Sequence, residues 1–290
     1  MKKSTGYFKT FSLTLSVGLA MSTSLPAIAS IKDTSVSIGS PNRSEIVLGQ
    51  RRSRLGFKVR GIRPSMSREG GISRSPDATA SCAGGPITVT SLLPKTNVAQ
   101  LAAAEKAEIE IEKTVAERPT FFIHVSQTSA QEAEFILKKK IGEDKDGRPV
   151  YDEDKYVDQT VALPKNPGIV SISLPAEAAN LEVGQSYYWT FQVICEPTDR
   201  NKDVTVDGAV QRIELDSSLA NKLQQAEPRD RPAIYAEAEI WTDALSTLAD
   251  LRKANPNNQQ LQDDWNDLLS SVGLDKVAQA TVIDSLNRVN

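Results

Sequence analysis

The two cysteines of the chain, Cys82 and Cys195, have the most distinctive chemistry in the sequence. A cysteine nucleophile needs a nearby base, and the single histidine, His124, lies in no recognisable catalytic motif. Strand alternation in "SYYWTFQVIC" places Cys195 on the apolar face, and burial there disfavours the reactive thiolate. The N-terminus also indicates export, and paired thiols usually oxidise outside the cytosol. We therefore expect a Cys82–Cys195 disulfide rather than a catalytic cysteine.

An acidic stretch, "GEDKDGRPVYDEDKYVD" at 142–158, is the best candidate for metal binding. Aligned on a calcium-binding EF-hand loop, Asp144, Asp146 and Glu153 fall at ligand positions. The most demanding ligand position, however, falls on Gly142. The same residues are typical of a solvated hairpin tip, so these three remain weak metal candidates.

His124 lies on a predicted strand and shares a face with Phe122. A lone histidine without a cysteine or second histidine cannot build a usual zinc site. We interpret it as a surface or hydrogen-bonded sheet residue, and we expect no cofactor.

The aromatic run could form either a platform for sugar rings or part of a core. It comprises Tyr187, Tyr188, Trp189 and Phe191. Strand alternation leaves only Tyr188 facing outward, which is too little for a platform. The core interpretation is therefore favoured.

Familiar catalytic motifs of serine hydrolases, β-lactamases, zinc proteases and phosphate-binding loops do not occur in the sequence. Carboxylate pairs that hydrolyse glycosides need only meet in space, so a sequence does not reveal them. We expect a non-enzymatic binding or structural protein, chiefly for protein–protein interaction. The alternatives are a carbohydrate-recognition module and an envelope hydrolase with an unrecognised carboxylate site.

The first 29 residues have the parts of a secretory signal peptide. A basic start with Lys2 and Lys3 precedes a short apolar run, and Ala27-Ile28-Ala29 forms a small-x-small cleavage site. The apolar run is shorter than the roughly 20 residues that span a bilayer. We expect cleavage after Ala29 and a periplasmic or extracellular protein.

Residues 30–81 are predicted to form a flexible basic arm. They contain ten basic and four acidic residues, whereas the whole chain has a net charge of −3. The segment is rich in Ser, Gly and Pro and lacks apolar periodicity, so it cannot bury enough apolar surface to fold. It is a solvated linker, or it tethers the protein to acidic envelope polymers or lipids. The mild acidity of the whole argues against nucleic-acid binding.

Residues 82–215 contain short β-type runs separated by turn signals. Examples are "TFFIHVS", "EAEFILKKK" and "GIVSISLP", with Asp146-Gly147 as a hairpin signal. Short, regularly spaced strands favour an antiparallel β-sandwich. The phrase "LEVGQSYYWTFQV" resembles the turn and strand of fibronectin type III and immunoglobulin-like domains. The predicted class is therefore β-rich α+β.

Residues 216–290 change to a helical period. "PAIYAEAEIWTDALSTLADLRKANPNN" fits the second half of a tetratricopeptide (TPR) repeat, with Tyr235, Trp241 and Leu248 at that motif's spacing. A further helix is expected at 259–272. One such hairpin cannot bury its own apolar stripe, so the stripe either docks on the sandwich, which we favour, or forms a groove for a partner peptide.

Several phrases recur in this order in one family: "REGGISR", "VAERPTFFIHV", "LEVGQSYYWTFQVICEPTDRNKDVTVDGAVQRI" and "YAEAEIWTDALSTLADLRKANPNN". By these phrases the chain resembles a cyanobacterial family named domain of unknown function 928, over most of 68–274. The resemblance implies a cyanobacterial exported protein. It implies no activity and no site residues.

Overall fold

A computed structural model describes residues 55–58, 71–72, 81–82, 84–94, 111–154 and 156–283. The strands of this part of the chain are β1 (Gly71–Ile72), β2 (Ser81–Cys82), β3 (Gly85–Pro86), β4 (Val89–Ser91), β5 (Glu112–Thr114), β6 (Thr120–Val125), β7 (Glu132–Glu143), β8 (Pro149–Tyr151), β9 (Val157–Ala162), β10 (Gly168–Ser173), β11 (Ser186–Val193), β12 (Val204–Arg212) and β13 (Val282–Ile283). The helices are α1 (Ser217–Gln225), α2 (Arg231–Glu237), α3 (Trp241–Ala254) and α4 (Gln259–Ser270), with 3₁₀ turns at Arg200–Lys202 and Pro228–Asp230.

The larger sheet has seven strands. Its centre is the antiparallel series β12-β11-β7, in which Trp189 pairs with Gly208 on one side and Leu137 on the other. β1 and β5 share the outer edge of β12, and β8 and β9 share the outer edge of β7. Gly208 is required because a Cβ there would lie 2.5 Å from Trp189 Cζ2. Gly208 thus makes room for the largest ring in the core.

The smaller sheet has the strand order β13-β10-β6-β4. Its strands are rich in β-branched and aromatic residues, which pack well on a pleated surface. A separate pair, β2 and β3, carries Cys82. The β-rich class is confirmed, but antiparallel pairing throughout is wrong, because β5 runs parallel to β12 and β13 parallel to β10.

β6 separates two hydrophobic cores because its side chains alternate. Phe121, Ile123 and Val125 join the first core, which the inner faces of both sheets build. Phe122 points the other way and joins a second core with the helices. The smaller sheet is therefore apolar on both faces, like the middle layer of a three-layer arrangement.

The helices begin and end at recognisable caps. The Asp216 carboxylate accepts hydrogen bonds from two backbone amides at the start of α1, and the Asn258 side chain does the same for α4. Gly273 follows α4 with a φ of +71°, a conformation that suits glycine. The predicted helix 259–272 is thus confirmed to within two residues, as α4. None of the helices in the described part of the chain is long and apolar enough to cross a membrane.

The helices dock on the smaller sheet, as the sequence favoured. Leu92, Phe122 and Ile169 of the sheet region share a core with Trp241, Trp265 and other apolar residues of α3 and α4. The chain then returns to the sheet as β13, so the region predicted to be helical also contributes an edge strand. β13 pairs at only two positions, Val282 and Ile283.

Two stretches of the predicted flexible arm belong to the folded unit. Phe57 is 3% exposed, and its ring lies edge-on to Trp241 with 5.1 Å between centroids. Gly71 and Ile72 form β1 against β12. These contacts were not expected from the sequence, because so short a stretch within a polar, basic segment shows no sustained apolar periodicity. Apart from 55–58, 71–72 and Ser81, residues 30–81 lie outside the described residues.

Candidate functional site

Cys82 and Cys195 form the predicted disulfide, which closes a separation of 113 residues. Both cysteines are buried in the first core, and neither is a free thiol. Cys195 lies just beyond β11, where Tyr187, Trp189, Phe191 and Val193 are buried on the same face, as predicted. Such a bond is typical of a non-cytosolic, oxidising compartment.

The weak metal candidates Asp144, Asp146 and Glu153 are exposed at the β7–β8 hairpin and just after it. Asp144 Oδ1 accepts hydrogen bonds from the backbone amides of Asp146, at 2.8 Å, and Arg148, at 2.9 Å. Gly147 completes the turn with a φ of +75°. The Asp144 side chain thus stabilises a solvated turn. Within the described residues, no three His, Cys, Asp or Glu side chains lie together as metal ligands would.

His124 is half-buried on β6, opposite Ile169 of β10. Burial lowers the pKa of its imidazole. Its Nδ1 is enclosed and has no hydrogen-bond partner among the described residues. His124 is therefore a sheet residue, and it belongs to no group of three potential metal ligands among the described residues.

Tyr188 faces outward from the larger sheet, as predicted, but a second aromatic residue meets it there. The β8 strand brings Tyr151 to 5.0 Å from Tyr188 between ring centroids, at 33° between planes. The Tyr188 hydroxyl hydrogen-bonds to Asp207, and burial together with that carboxylate raises the pKa of the phenol. The contact of Tyr151 with Tyr188 was not predicted, because the sequence around Tyr151 indicates only an acidic hairpin turn.

A cleft lies between the smaller sheet and helices α3 and α4. Its volume is about 470 Å³, within the range of about 300–1,000 Å³ that is usual for small-molecule sites. β6 and β10 form one wall, the second half of α3 and the start of α4 form the other, and residues 279–282 close one end. We call this space the polar cleft.

Most side chains that line the polar cleft carry hydroxyl or amide groups. They include Thr120, Ser171, Ser173, Ser246, Asn255 and Gln262. The hydroxyls are held in place: Thr120 Oγ1 lies 3.0 Å from Ser173 Oγ, and Ser171 Oγ donates to the Ile283 carbonyl at 3.3 Å. Each hydroxyl oxygen can still accept further hydrogen bonds.

Arg252 is a cation of the polar cleft that two neighbouring side chains hold in place. Its Nη2 donates to Gln262 Oε1 at 2.6 Å, and its guanidinium carbon lies 4.5 Å from the ring centroid of Trp265. Gln262 Nε2 donates in turn to Asn266 Oδ1 at 3.1 Å, which keeps the Gln262 oxygen directed at the arginine. This cation–π contact and this chain of hydrogen bonds fix the guanidinium before any ligand arrives.

The guanidinium of Arg252 has no carboxylate partner among the described residues, and its Nη1 is enclosed without an acceptor. Burial lowers the pKa of this side chain. Lys253 and Asp250 also line the polar cleft, so basic residues outnumber acidic ones in the lining. The cleft therefore suits a polar or anionic ligand better than a cation.

Asp243 is the described carboxyl group with a strongly raised pKa, and it lies outside the cleft lining. It sits in the first turn of α3, where it accepts a hydrogen bond from Val115 N at 3.2 Å and another from the Thr114 hydroxyl. Burial raises its pKa to about 6 despite these donors. Asp243 joins the helices to β5 and does not face an open site.

Sequence reasoning did not identify the polar cleft or Arg252. The only local signal was the polar run "RKANPNN" after α3, which is also typical of a helix end. Ser171 and Arg252 lie far apart in the chain, so only the docking of the helices brings them together.

No curated protein matches this chain. A family profile, described as Domain of Unknown Function (DUF928), matches residues 69–282, which include the larger sheet, all four helices and the described lining of the polar cleft. Because this match covers most of the sequence, the chain belongs to the DUF928 family.

Proposed function

We propose that this protein is a non-enzymatic binding protein of the cell envelope and that the polar cleft is its binding site. The observation that carries the proposal is the cleft's lining of positioned hydroxyl and amide groups around a held arginine. Concave sites with a few converging polar groups are the usual place for a ligand.

The composition of the lining favours a hydroxyl-rich ligand over a protein partner. A peptide groove is typically an apolar trough, whereas this cleft offers mainly hydrogen-bonding groups. The exposed large apolar residues of the described chain, such as Val183 and Leu215, lie away from the cleft. We therefore place the carbohydrate-recognition alternative before the protein–protein interaction expected from sequence.

The hydrolase alternative finds less support. Glycoside hydrolysis requires two converging carboxyl groups, and the polar cleft contains one in its described lining, Asp250. The carboxyl group whose pKa is raised to about 6, Asp243, is buried at the helix–sheet junction. A binding role requires neither a second carboxyl group in the cleft nor a carboxyl group with a raised pKa.

Export is part of the proposal. The features of residues 1–29 indicate a signal peptide, and the buried disulfide is consistent with folding in the periplasm or outside the cell. A cyanobacterial source follows from the family resemblance. The basic residues of the 30–81 segment would then hold the protein near acidic envelope polymers or lipids.

We also propose that the fold is related to immunoglobulin and fibronectin type III sandwiches with a TPR-like hairpin. In support, the Tyr187 hydroxyl accepts a hydrogen bond from Glu182 N at 2.9 Å, next to Gly184 with a φ of +80°. This contact resembles the tyrosine corner of such sandwiches. In the helices, Trp241 and Leu248, which fit the TPR spacing, are buried.

The proposal is tested by blocking the cleft in the full-length protein. Ser173 is exposed at the cleft wall, so Ser173→Trp should fill the opening without altering a core. Ser270→Trp is the matched control, because Ser270 is exposed at the end of α4 and does not line the cleft. Each protein is incubated separately with soluble polysaccharide and with soluble protein from the envelope. The amount of polysaccharide or protein that it retains is then measured.

We expect the unmodified protein and the Ser270→Trp variant to retain polysaccharide and the Ser173→Trp variant to lose it. Equal retention by all three would remove the cleft from the proposal. Cleavage of the polysaccharide during incubation would support the hydrolase alternative instead, and cleft-dependent retention of protein alone would restore the protein–protein interpretation.

A further inference from the structure

We infer that the polar cleft binds a carboxylate-bearing saccharide, the uronic-acid unit of an acidic polysaccharide, and that Arg252 holds its carboxylate. This inference rests on the proposed binding function and names the ligand class of the same site. Lys253 and Asp250 belong to the same lining.

The first argument is the arrangement of Arg252. Gln262 holds one terminal nitrogen at 2.6 Å, and Trp265 lies under the guanidinium plane at 4.5 Å. A guanidinium presents five N–H donors in a rigid fork that matches a carboxylate. Gln262 uses one N–H of Nη2, and Nη1 is enclosed, so the side chain is fixed and the edge formed by Nε and Nη2 is the part of the fork that a carboxylate would meet.

The second argument is charge compensation. Arg252 is half-buried, its pKa is lowered by burial, and no carboxylate of the described chain lies against it. A partly desolvated cation without an anion is unfavourable, and an anionic ligand would relieve that cost on binding. Lys253 adds a second positive charge to the same helix end.

The third argument separates a saccharide from an acidic peptide. Around Arg252 the cleft presents the hydroxyl groups of Thr120, Ser171 and Ser173 and the amide of Asn255. These groups can donate to and accept from the many hydroxyls of a sugar. The cleft volume of about 470 Å³ would enclose a short stretch of sugar rings and would leave a longer polymer free to extend at the open side.

The test measures binding of three defined probes to the full-length protein by calorimetry. The probes are trigalacturonate as the acidic saccharide, maltotriose as the neutral saccharide, and triglutamate as the acidic peptide. Trigalacturonate should bind at least about tenfold more tightly than either other probe, because only it combines a carboxylate with sugar hydroxyls. Added salt should weaken its binding.

Arg252→Gln removes the charge and should reduce trigalacturonate affinity by about tenfold or more. Arg252→Lys keeps the charge but loses the fork, and an intermediate loss is expected. Arg229→Gln is the matched control, because Arg229 also donates to a glutamine, Gln260, yet is exposed and outside the cleft. The melting temperature of each variant shows that it is folded.

Binding at the site is followed separately through the indole N–H signal of Trp265 in a nuclear magnetic resonance spectrum. That signal should move with trigalacturonate, because the ring lies against Arg252. A ligand that binds only the basic residues of the N-terminal segment should leave it unchanged, and replacement of Arg51, Arg52 and Arg54 by glutamine distinguishes that case.

Three results overturn the inference while leaving the binding function intact. In the first, maltotriose binds as tightly as trigalacturonate and Ser173→Trp blocks both. In the second, triglutamate is preferred. In the third, trigalacturonate affinity is unchanged in both Arg252 variants. If no probe binds, or if Ser173→Trp has no effect on any of them, the proposed function fails as well.

Discussion

The indole Nε1 of Trp241 donates a buried hydrogen bond of 2.7 Å to the carbonyl oxygen of Leu92. Trp241 begins α3, and Leu92 follows β4, so this bond joins the helices to the smaller sheet across 149 residues of sequence. Together with the contact of Asp243 with Val115, it makes the helices and sheets mutually dependent. A helical region attached only by its linker would show neither bond.

Replacing Trp241 by phenylalanine should lower the free energy of unfolding by about 1–3 kcal/mol beyond the loss of ring size, because the Leu92 carbonyl would be left unpaired. Trp265→Phe is the control, since Trp265 is equally buried but its Nε1 has no acceptor among the described residues. Chemical denaturation measures both. Equal destabilisation by the two substitutions would contradict this account.

Truncation after Leu215 should lower the melting temperature of the remaining β-region or prevent its folding. The deletion exposes Leu92, Phe122 and Ile169, which the helices cover. Circular dichroism on the full and truncated chains makes the comparison. An unchanged melting temperature would show that the helices fold independently of the sheets.

Reduction or removal of the disulfide should destabilise the protein by about 4–5 kcal/mol in the chain-entropy model, because the bond closes 113 residues. The comparison uses the double variant Cys82→Ser, Cys195→Ser, which avoids a single unpaired thiol. Thiol titration of the denatured, unreduced protein should find no free sulfhydryl. Two free sulfhydryls would refute the bond.

Asp243 should make stability depend on pH in the direction opposite to an ordinary ion-paired carboxylate. Its pKa rises from 3.8 to about 6 on folding, so the folded state binds the proton more tightly. Its contribution is therefore greatest below pH 4 and declines as pH rises through about 6. The difference in stability between the wild type and Asp243→Asn should change by about 3 kcal/mol across this window.

This difference is measured by urea unfolding at several pH values between 3.5 and 7.5, chosen to bracket both pKa values. Using the difference removes the contributions of the other carboxyl groups, which both proteins share. A difference that is constant with pH would contradict the raised pKa.

Phe57→Ala should destabilise the protein by about 3 kcal/mol, although residue 57 lies in a polar, basic segment. The ring packs against Trp241, and the backbone amide of Phe57 donates to Ser271 Oγ at 2.9 Å. Lys58→Ala is the neighbouring control, because Lys58 is exposed. A similar melting temperature for both variants would show that the segment does not contribute to the fold.

Local sequence patterns were sufficient to predict the burial or pairing of a residue where these depend on its near neighbours in the chain. The alternation of β11 identified Tyr187, Trp189 and Phe191 as core residues, because successive side chains on a strand point to opposite faces. The two cysteines allowed a single pairing, which is the bond observed. The helical period after Leu215 likewise located α3 and α4.

Contacts between distant segments followed no local pattern and could be seen only in the folded chain. Phe57 lies in a polar, basic segment, and its burial depends on contacts with Trp241 and Ser271 from the other end of the sequence. Tyr151 meets Tyr188 because β8 folds back along β7. Arg252 became a candidate binding residue because helix docking places it in one cleft with hydroxyl groups of a sheet more than 70 residues away. It is partly desolvated there, and no carboxylate of the described residues pairs with it. Desolvation and compensation of charge depend on the whole surroundings of a group, which its neighbours in sequence do not specify.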